Sequence, residues 1–245
     1  MRFEDLSPAE AHAAELMTTG GDARIVLTPE RHQNRYYSAP WPQDVLAYAS
    51  STANDISPQA FARVSGLAAE DYAVGLEALR GRIRAAYGVP SDVAIVFAPS
   101  GTDLEYVALA CVHDRAARLH NVLLGADEVG SGCIHSAHAR YFANETALGI
   151  HVRPGEPVPR LGERVTIEDV PVRDALGHAF TSACIRDQIE QGIEHAADAH
   201  TLVHVVHGSK TGLILPLLED IDDLVARHGG RITLVVDACQ ARITS

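Results

Sequence analysis

Apolar positions along the chain fall into two regimes. Up to about residue 60 they keep no steady period, and Pro29, Pro40, Pro42 and Pro58 punctuate the stretch, which is expected to be irregular. From Pro58 onward Phe61, Val64, Leu67, Leu76, Leu79, Ile83 and Tyr87 recur at spacings of three and four. That spacing predicts helix, with Gly88 as its stop. Beyond it, short apolar runs alternate with helical stretches. VAIVFA (93–98), NVLLG (121–125), TLVHVVH (201–207) and RITLVVDA (231–238) are the strand candidates. VAIVFA is apolar throughout, as a strand buried on both faces would be. Shorter strands are expected near Gly149–Val152 and Val165–Val170. Helices are expected over 102–119, around His135–Phe142, from about Thr181 to Ala199, and over 216–230.

Such alternation predicts an α/β fold with a mostly parallel, doubly wound sheet. Residues 1–60 form an amino-terminal segment in this reading, and 61–245 the domain that carries the sheet. Pro154–Gly177, rich in proline, glycine and charge, is a surface excursion.

In open α/β sheets, functional groups gather just past the carboxyl ends of strands. Three short stretches fall there. Ser100-Gly101-Thr102 follows VAIVFA and opens a helix. It offers two hydroxyls, a close backbone approach at glycine and a helix amino terminus that favours an anion. The same residues also suit a plain helix cap. Ser209-Lys210-Thr211-Gly212 follows TLVHVVH, with Pro216 soon after; it can present a hydroxyl to a ligand or simply turn the chain. Asp237-Ala238-Cys239-Gln240 closes RITLVVDA. An aspartate ending an apolar strand is costly to desolvate without a cationic or donating partner. A protonated ring nitrogen would serve, and so would the cap of a following helix.

In order and spacing the three stretches resemble the large domain of fold-type-I pyridoxal-phosphate (PLP) enzymes, in the class V aminotransferase and cysteine desulfurase branch. The resemblance covers roughly Ala62–Ile243. It implies a PLP-dependent transferase or lyase acting on a small amino-acid substrate, working as a homodimer. Ser100, Gly101 and Thr102 would then meet the cofactor phosphate, and Asp237 would be the catalytic partner of the pyridine nitrogen. Ala238 would support the ring, while Gln240 and Ser209 would face its phenolic oxygen. Desulfurases have asparagine where Ser209 stands. Ala126–Ser131 lies where the branch carries a ring stacked on the cofactor, yet it holds no aromatic residue, and His135 is further along. The family's Schiff-base lysine lies about two dozen residues beyond the aspartate motif. Lys210, the one lysine among twenty basic residues, belongs instead to the earlier loop. The chain is therefore expected to be an incomplete PLP-binding domain, inactive by itself. The rival readings are a PLP-dependent lyase or decarboxylase, a non-catalytic fragment needing a partner chain, and a nucleotide-binding α/β protein, for which no G-x-G-x-x-G or Walker loop is present.

Composition narrows the picture. The formal net charge is −12 and there is no Lys/Arg-rich run, so neither nucleic acid nor an anionic membrane is an expected partner. Cys111, Cys133, Cys184 and Cys239 are scattered without a C-x-x-C pair, so no metal or disulfide framework is expected and a reducing compartment fits. The amino terminus has no apolar signal core, and no apolar run has the length of a membrane span. A cytoplasmic protein is the expectation. Cys111 is expected in the core, His195 and His200 at the surface, and His113–Arg115 on a solvated mid-helix face. Tyr36, Tyr37 and Trp41 either line a substrate entrance or dock the amino-terminal segment.

Overall fold

The computed structural model describes residues 3–18, 24–46, 54–66 and 72–238. They divide into two compact units. The first comprises the described part of Met1–Pro99 with Glu145–His151, and the second Ser100–Asn144 with the described part of Val152–Thr244.

The first unit is helical. After a 3-10 turn at Phe3–Asp5 comes α1 (Pro8–Thr18), in a stretch expected to be irregular. Its start has a local cause: Ser7 N donates to Glu10 Oε2 at 2.8 Å while Glu10 N donates weakly to Ser7 Oγ at 3.4 Å. This is a capping box with proline at the first helical position. Ala13 and Ala14 of α1 pack with Ala39, Trp41 and Phe61 of α2 (Pro58–Ser65) in a small core. Trp41 thus docks its segment, whereas Tyr36 and Tyr37 are exposed, with Arg35 and Arg31 over their rings. α3 (Tyr72–Tyr87) has the expected length but buries none of its residues. VAIVFA is not a strand. Residues 93–98 take part in no β-ladder, and Val93 and Val96 are exposed.

The second unit is an α/β sheet. β1 (Leu119–Leu124), β2 (Val165–Val170), β3 (His200–His207) and β5 (Ile232–Asp237) run parallel in the order β2-β1-β3-β5. The two-residue β4 (Ile214–Leu215) turns back antiparallel onto the end of β3. The sheet is open and mixed but mostly parallel, as the alternation predicts. The expected strand near Gly149–Val152 amounts to a single bridge between Glu145 and His151.

Strand alternation sorts the side chains onto two faces. Val122 and Leu124 of β1, Val203 and Val205 of β3, and Ile232 of β5 pack with Ile185, Ile189 and Ile193 of α6 (Ser182–His195) and Leu224 of α7 (Leu218–His228). On the opposite face Leu119, Val165, Leu202 and Val235 meet Leu109 and Val112 of α4 (Gly101–Val112). α5 (Cys133–Ala137) joins α4 on that face.

Three sequence expectations need correcting here. α4 stops at Val112, so His113–Arg115 form a turn before β1 rather than a helix face. The buried stripe of α4 is Thr102, Glu105, Leu109 and Val112, which turns Cys111 outward; the buried cysteine is Cys133. His200 is also buried rather than superficial, its Nε2 2.9 Å from Thr233 Oγ1. No described helix is long and apolar enough to cross a membrane.

Among the described residues β5 has β3 as its only ladder partner, and Leu234 and Val236 on it are 36% and 51% exposed. An apolar edge strand of this kind templates pairing with another chain. A lysine there should block it. Val236→Lys is expected to reduce concentration-dependent association, measured by light scattering, with unchanged far-UV circular dichroism.

Candidate functional site

The carboxyl ends of β1, β3 and β5 carry the candidate groups. β5 ends on Asp237, opposite Val206 of β3, and two residues earlier on β3 the alternation brings His204 to the same face. His204 is 1% exposed, and its Nε2 lies 2.8 Å from Oε1 of buried Glu105 on α4. One ligand-type atom from each of Glu105, His204 and Asp237 falls within a mutual 4.8 Å. His204 Nδ1 is buried without a hydrogen-bond partner among the described residues, so the contact with Glu105 is the polar anchor of the imidazole.

Two further groups close around this cluster. Thr102, on the first turn of α4, is buried, and its Oγ1 and Cys133 Sγ both lie within 4 Å of where a Cβ on Gly130 would stand. The Cys133 thiol is pushed up to about 11, first by burial and then by the charge of Glu105, with Asp237 adding to the rise and the Thr102 bond opposing it. It stays a neutral thiol at physiological pH. Loop 125–132 reaches α4 by its backbone: a Cβ on Gly132 would lie 2.9 Å from Thr102 Cγ2. Only glycine permits that approach.

The predicted residues divide accordingly. Ser100 is the N-cap of α4: its hydroxyl accepts from Asp103 N at 3.3 Å and donates to Asp103 Oδ2 at 2.6 Å. Gly101 is exposed, with open space where a Cβ would stand. Thr102 shares the buried stripe of α4 with Glu105, and Glu105 clusters with Asp237, so the two predicted residues lie in one region of the sheet unit. Ala238, half-buried, follows directly. Gln240 lies outside the described residues. Ser209 is buried, and its hydroxyl is used within its own loop, accepting from Leu213 N at 3.0 Å and bonding Glu128. Lys210 is exposed, its Nζ donating to Asp127 O at 3.3 Å.

Glu128 is a second buried acid that sequence reading overlooks. Its carboxylate accepts from Thr211 N at 3.1 Å, from Thr211 Oγ1 at 2.8 Å and from Arg173 Nε at 3.3 Å. These bonds tie the loop after β1 to the loop after β3. Burial by itself would raise the Glu128 carboxyl, yet the bonds from Ser209, Thr211 and Arg173 outweigh it and hold the group below its ordinary value. Glu105 and His204 left a sequence signal: a glutamate on the apolar stripe of a helix and a histidine inside an apolar strand each call for a buried partner.

No protein-family model matches the chain, and no curated protein or solved structure matches it either.

The Glu128 network yields a stability test. Glu128→Gln removes charge-assisted bonds at a buried site and is expected to cost about 1.5–3 kcal/mol at neutral pH. Because the folded value is depressed, this contribution is complete above the ordinary carboxyl value of 4.5 and fades as pH falls through the folded value. Urea unfolding of both proteins should show a constant gap at neutral pH that closes in acid.

Proposed function

We propose that this chain is the PLP-binding part of a cytoplasmic fold-type-I PLP enzyme, of the class V aminotransferase and cysteine desulfurase branch, acting on a small amino acid. The observation that carries the reading is the meeting of the first turns of a helix with a strand-end carboxylate: Thr102 and Glu105 share the buried stripe of α4, and Glu105 clusters with Asp237 of β5 within 4.8 Å. The residues fit the two ends of the cofactor. α4 opens with an exposed glycine and space beside it, which suits a phosphate drawn by unpaired backbone amides. Asp237, beside buried His204 and Glu105, suits a cationic ring nitrogen.

In this reading Gly101 and Thr102 would hold the phosphate, while Ser100 positions the turn as its cap. Asp237 would hold a proton on the ring nitrogen, and Ala238 would lie against the ring. Bound PLP supplies an electron sink that weakens a bond at the substrate α-carbon. Ser209 does not join this set, because its hydroxyl holds the loop to Glu128. The reaction stays at the level of transfer or elimination on an amino acid, since transamination, desulfuration and decarboxylation share the frame. A homodimer and the absence of nucleic-acid or membrane partners are part of the proposal.

Two measurements test it. Added PLP should bind with a shifted absorbance, yet borohydride reduction followed by intact mass should leave Lys210 unmodified; phosphopyridoxyl on Lys210 would refute the assignment of that lysine to the loop. In an active assembly containing this chain, Asp237→Asn should keep the fold but lower turnover about a hundredfold or more, as for loss of a preorganised electrostatic partner. Turnover near the parent's would remove Asp237 from the mechanism.

A further inference from the structure

We infer that His120, Glu168 and His195 form a binding site for a divalent transition-metal cation of the Zn²⁺ class, tying α6 to β1 and β2. The site lies on the α6 face of the sheet, whereas Glu105 and His204 belong to the α4 face, so the inference stands apart from the PLP reading.

The sheet register brings the three residues together. β1 and β2 pair with His120 opposite Thr166 and Val122 opposite Glu168. Val122 packs in the core beneath α6, so alternation turns His120 and Glu168 towards that helix as well. α6 lies close there because residue 192 is glycine: a Cβ on it would stand 2.9 Å from Val122 Cγ2 and 3.6 Å from Glu168 Oε2. The helix then ends on His195, whose Nδ1 is 3.3 Å from Glu168 Oε2. His120 Nε2 is 3.9 Å from the same oxygen.

Hydrogen bonding at His120 points to a cation. The residue is 6% exposed, and its Nε2 has no hydrogen-bond partner among the described residues. Its Nδ1 lies 2.8 Å from Thr166 Oγ1, and that hydroxyl donates weakly to Leu119 O at 3.4 Å. Thr166 therefore accepts from the ring, the imidazole proton sits on Nδ1, and Nε2 keeps its lone pair. Burial lowers the proton affinity of this imidazole; Glu168 opposes the fall, and His195 and Arg118 add to it. A lone pair and a carboxylate oxygen thus face each other, and two acceptors cannot satisfy one another. Thr201, opposite His120 on β3, adds a buried hydroxyl that is also without a partner among the described residues.

Two imidazoles and one carboxylate make a ligand set of open zinc sites, and imidazole favours zinc-like cations over magnesium or calcium. Thr166 supplies the outer-shell bond that fixes the tautomer of such a ligand. The set is more open than the 4.8 Å group of Glu105, His204 and Asp237. Closing it falls to His195, whose side chain is 68% exposed and free to turn.

The test uses the full 245-residue chain, stripped with a chelator and titrated with Zn²⁺ alone. Isothermal titration reads stoichiometry and affinity, circular dichroism checks the fold, and imidazole nitrogen-15 shifts read which His120 nitrogen carries a proton or the metal. One equivalent should bind, shift the His120 Nε2 resonance and raise the melting temperature, as for a ligand held by the folded state. Thr166→Val should weaken binding by about 10–100-fold, the usual effect of an outer-shell loss. His120→Gln, Glu168→Gln and His195→Gln should each weaken it further. If His120→Gln does not fold, His195→Gln decides, because that side chain is at the surface. Failure of the folded chain to bind Zn²⁺ overturns the inference, and so does binding unchanged in folded Glu168→Gln and His195→Gln. A metal-free His120 protonated on both nitrogens at neutral pH also overturns it, making the contact with Glu168 a plain ion pair.

Discussion

The structure of the sheet unit hangs on the register of β3. Every residue from His200 to Val206 is buried, because β1 and β5 flank the strand and helices cover both faces. Burying a polar side chain in such a strand is costly, and Thr201 Oγ1 and His204 Nδ1 are left without a hydrogen-bond partner there. The His204 Nε2 contact is thus the polar bond that favours one register. In the observed register the imidazole meets Glu105 at 2.8 Å. A slip of one residue would turn it into the cluster of Ile185, Ile189 and Leu224, with no acid to receive it. The same constraint sends Asp237, paired opposite Val206, to the face of α4 rather than that of α7. The candidate site is thus a consequence of packing the central strand.

The rim above the site is held by a different device. Loops at strand ends are ordinarily the mobile part of an α/β unit. Here the loops after β1 and β3 share the buried Glu128 carboxylate, with Thr211 and Arg173 as donors. Ser209 is spent on that tie, which is why a hydroxyl that looks available in the sequence is not. Where the resembled family stacks an aromatic ring, this loop lies against Thr102 through the backbone of Gly132. The rim is tied by charge and close backbone approach, and α4 is left to present its amino terminus.

Much of this is legible in the sequence, because the strongest strands declare themselves. TLVHVVH and RITLVVDA become β3 and β5, and NVLLG lies within β1 apart from its closing glycine. An acid at the end of an apolar run is a local signal, and it singles out Asp237 from sequence alone. The hidden features have specific causes. Glu105 and His204 are each conspicuous alone, but their pairing spans ninety-nine positions, and no local pattern encodes it. α1 is concealed by alanine-rich composition with a weak apolar stripe, although Ser7, Pro8 and Glu10 spell its start. Cys111 looks like a core residue from its apolar neighbours; only the phase of the stripe, fixed by Leu109 and Val112, turns it outward.

VAIVFA shows that an apolar run and a strand are different claims. It is even more apolar than RITLVVDA, and the distinction lies in backbone hydrogen bonding, since a strand exists only where a neighbour pairs its amides and carbonyls. RITLVVDA pairs with β3 over six residues. In the first unit the corresponding donors are two arginines on α3, spaced four apart so that they share a helix face. Arg80 Nε donates to Ile95 O at 2.9 Å and its guanidinium stands over Phe97; Arg84 donates to the carbonyls of Val89, Pro90 and Val93. Guanidinium groups can satisfy carbonyls but accept nothing, so they replace only half of a ladder. The stretch is held against α3 without becoming a strand, and Val93 and Val96 stay exposed.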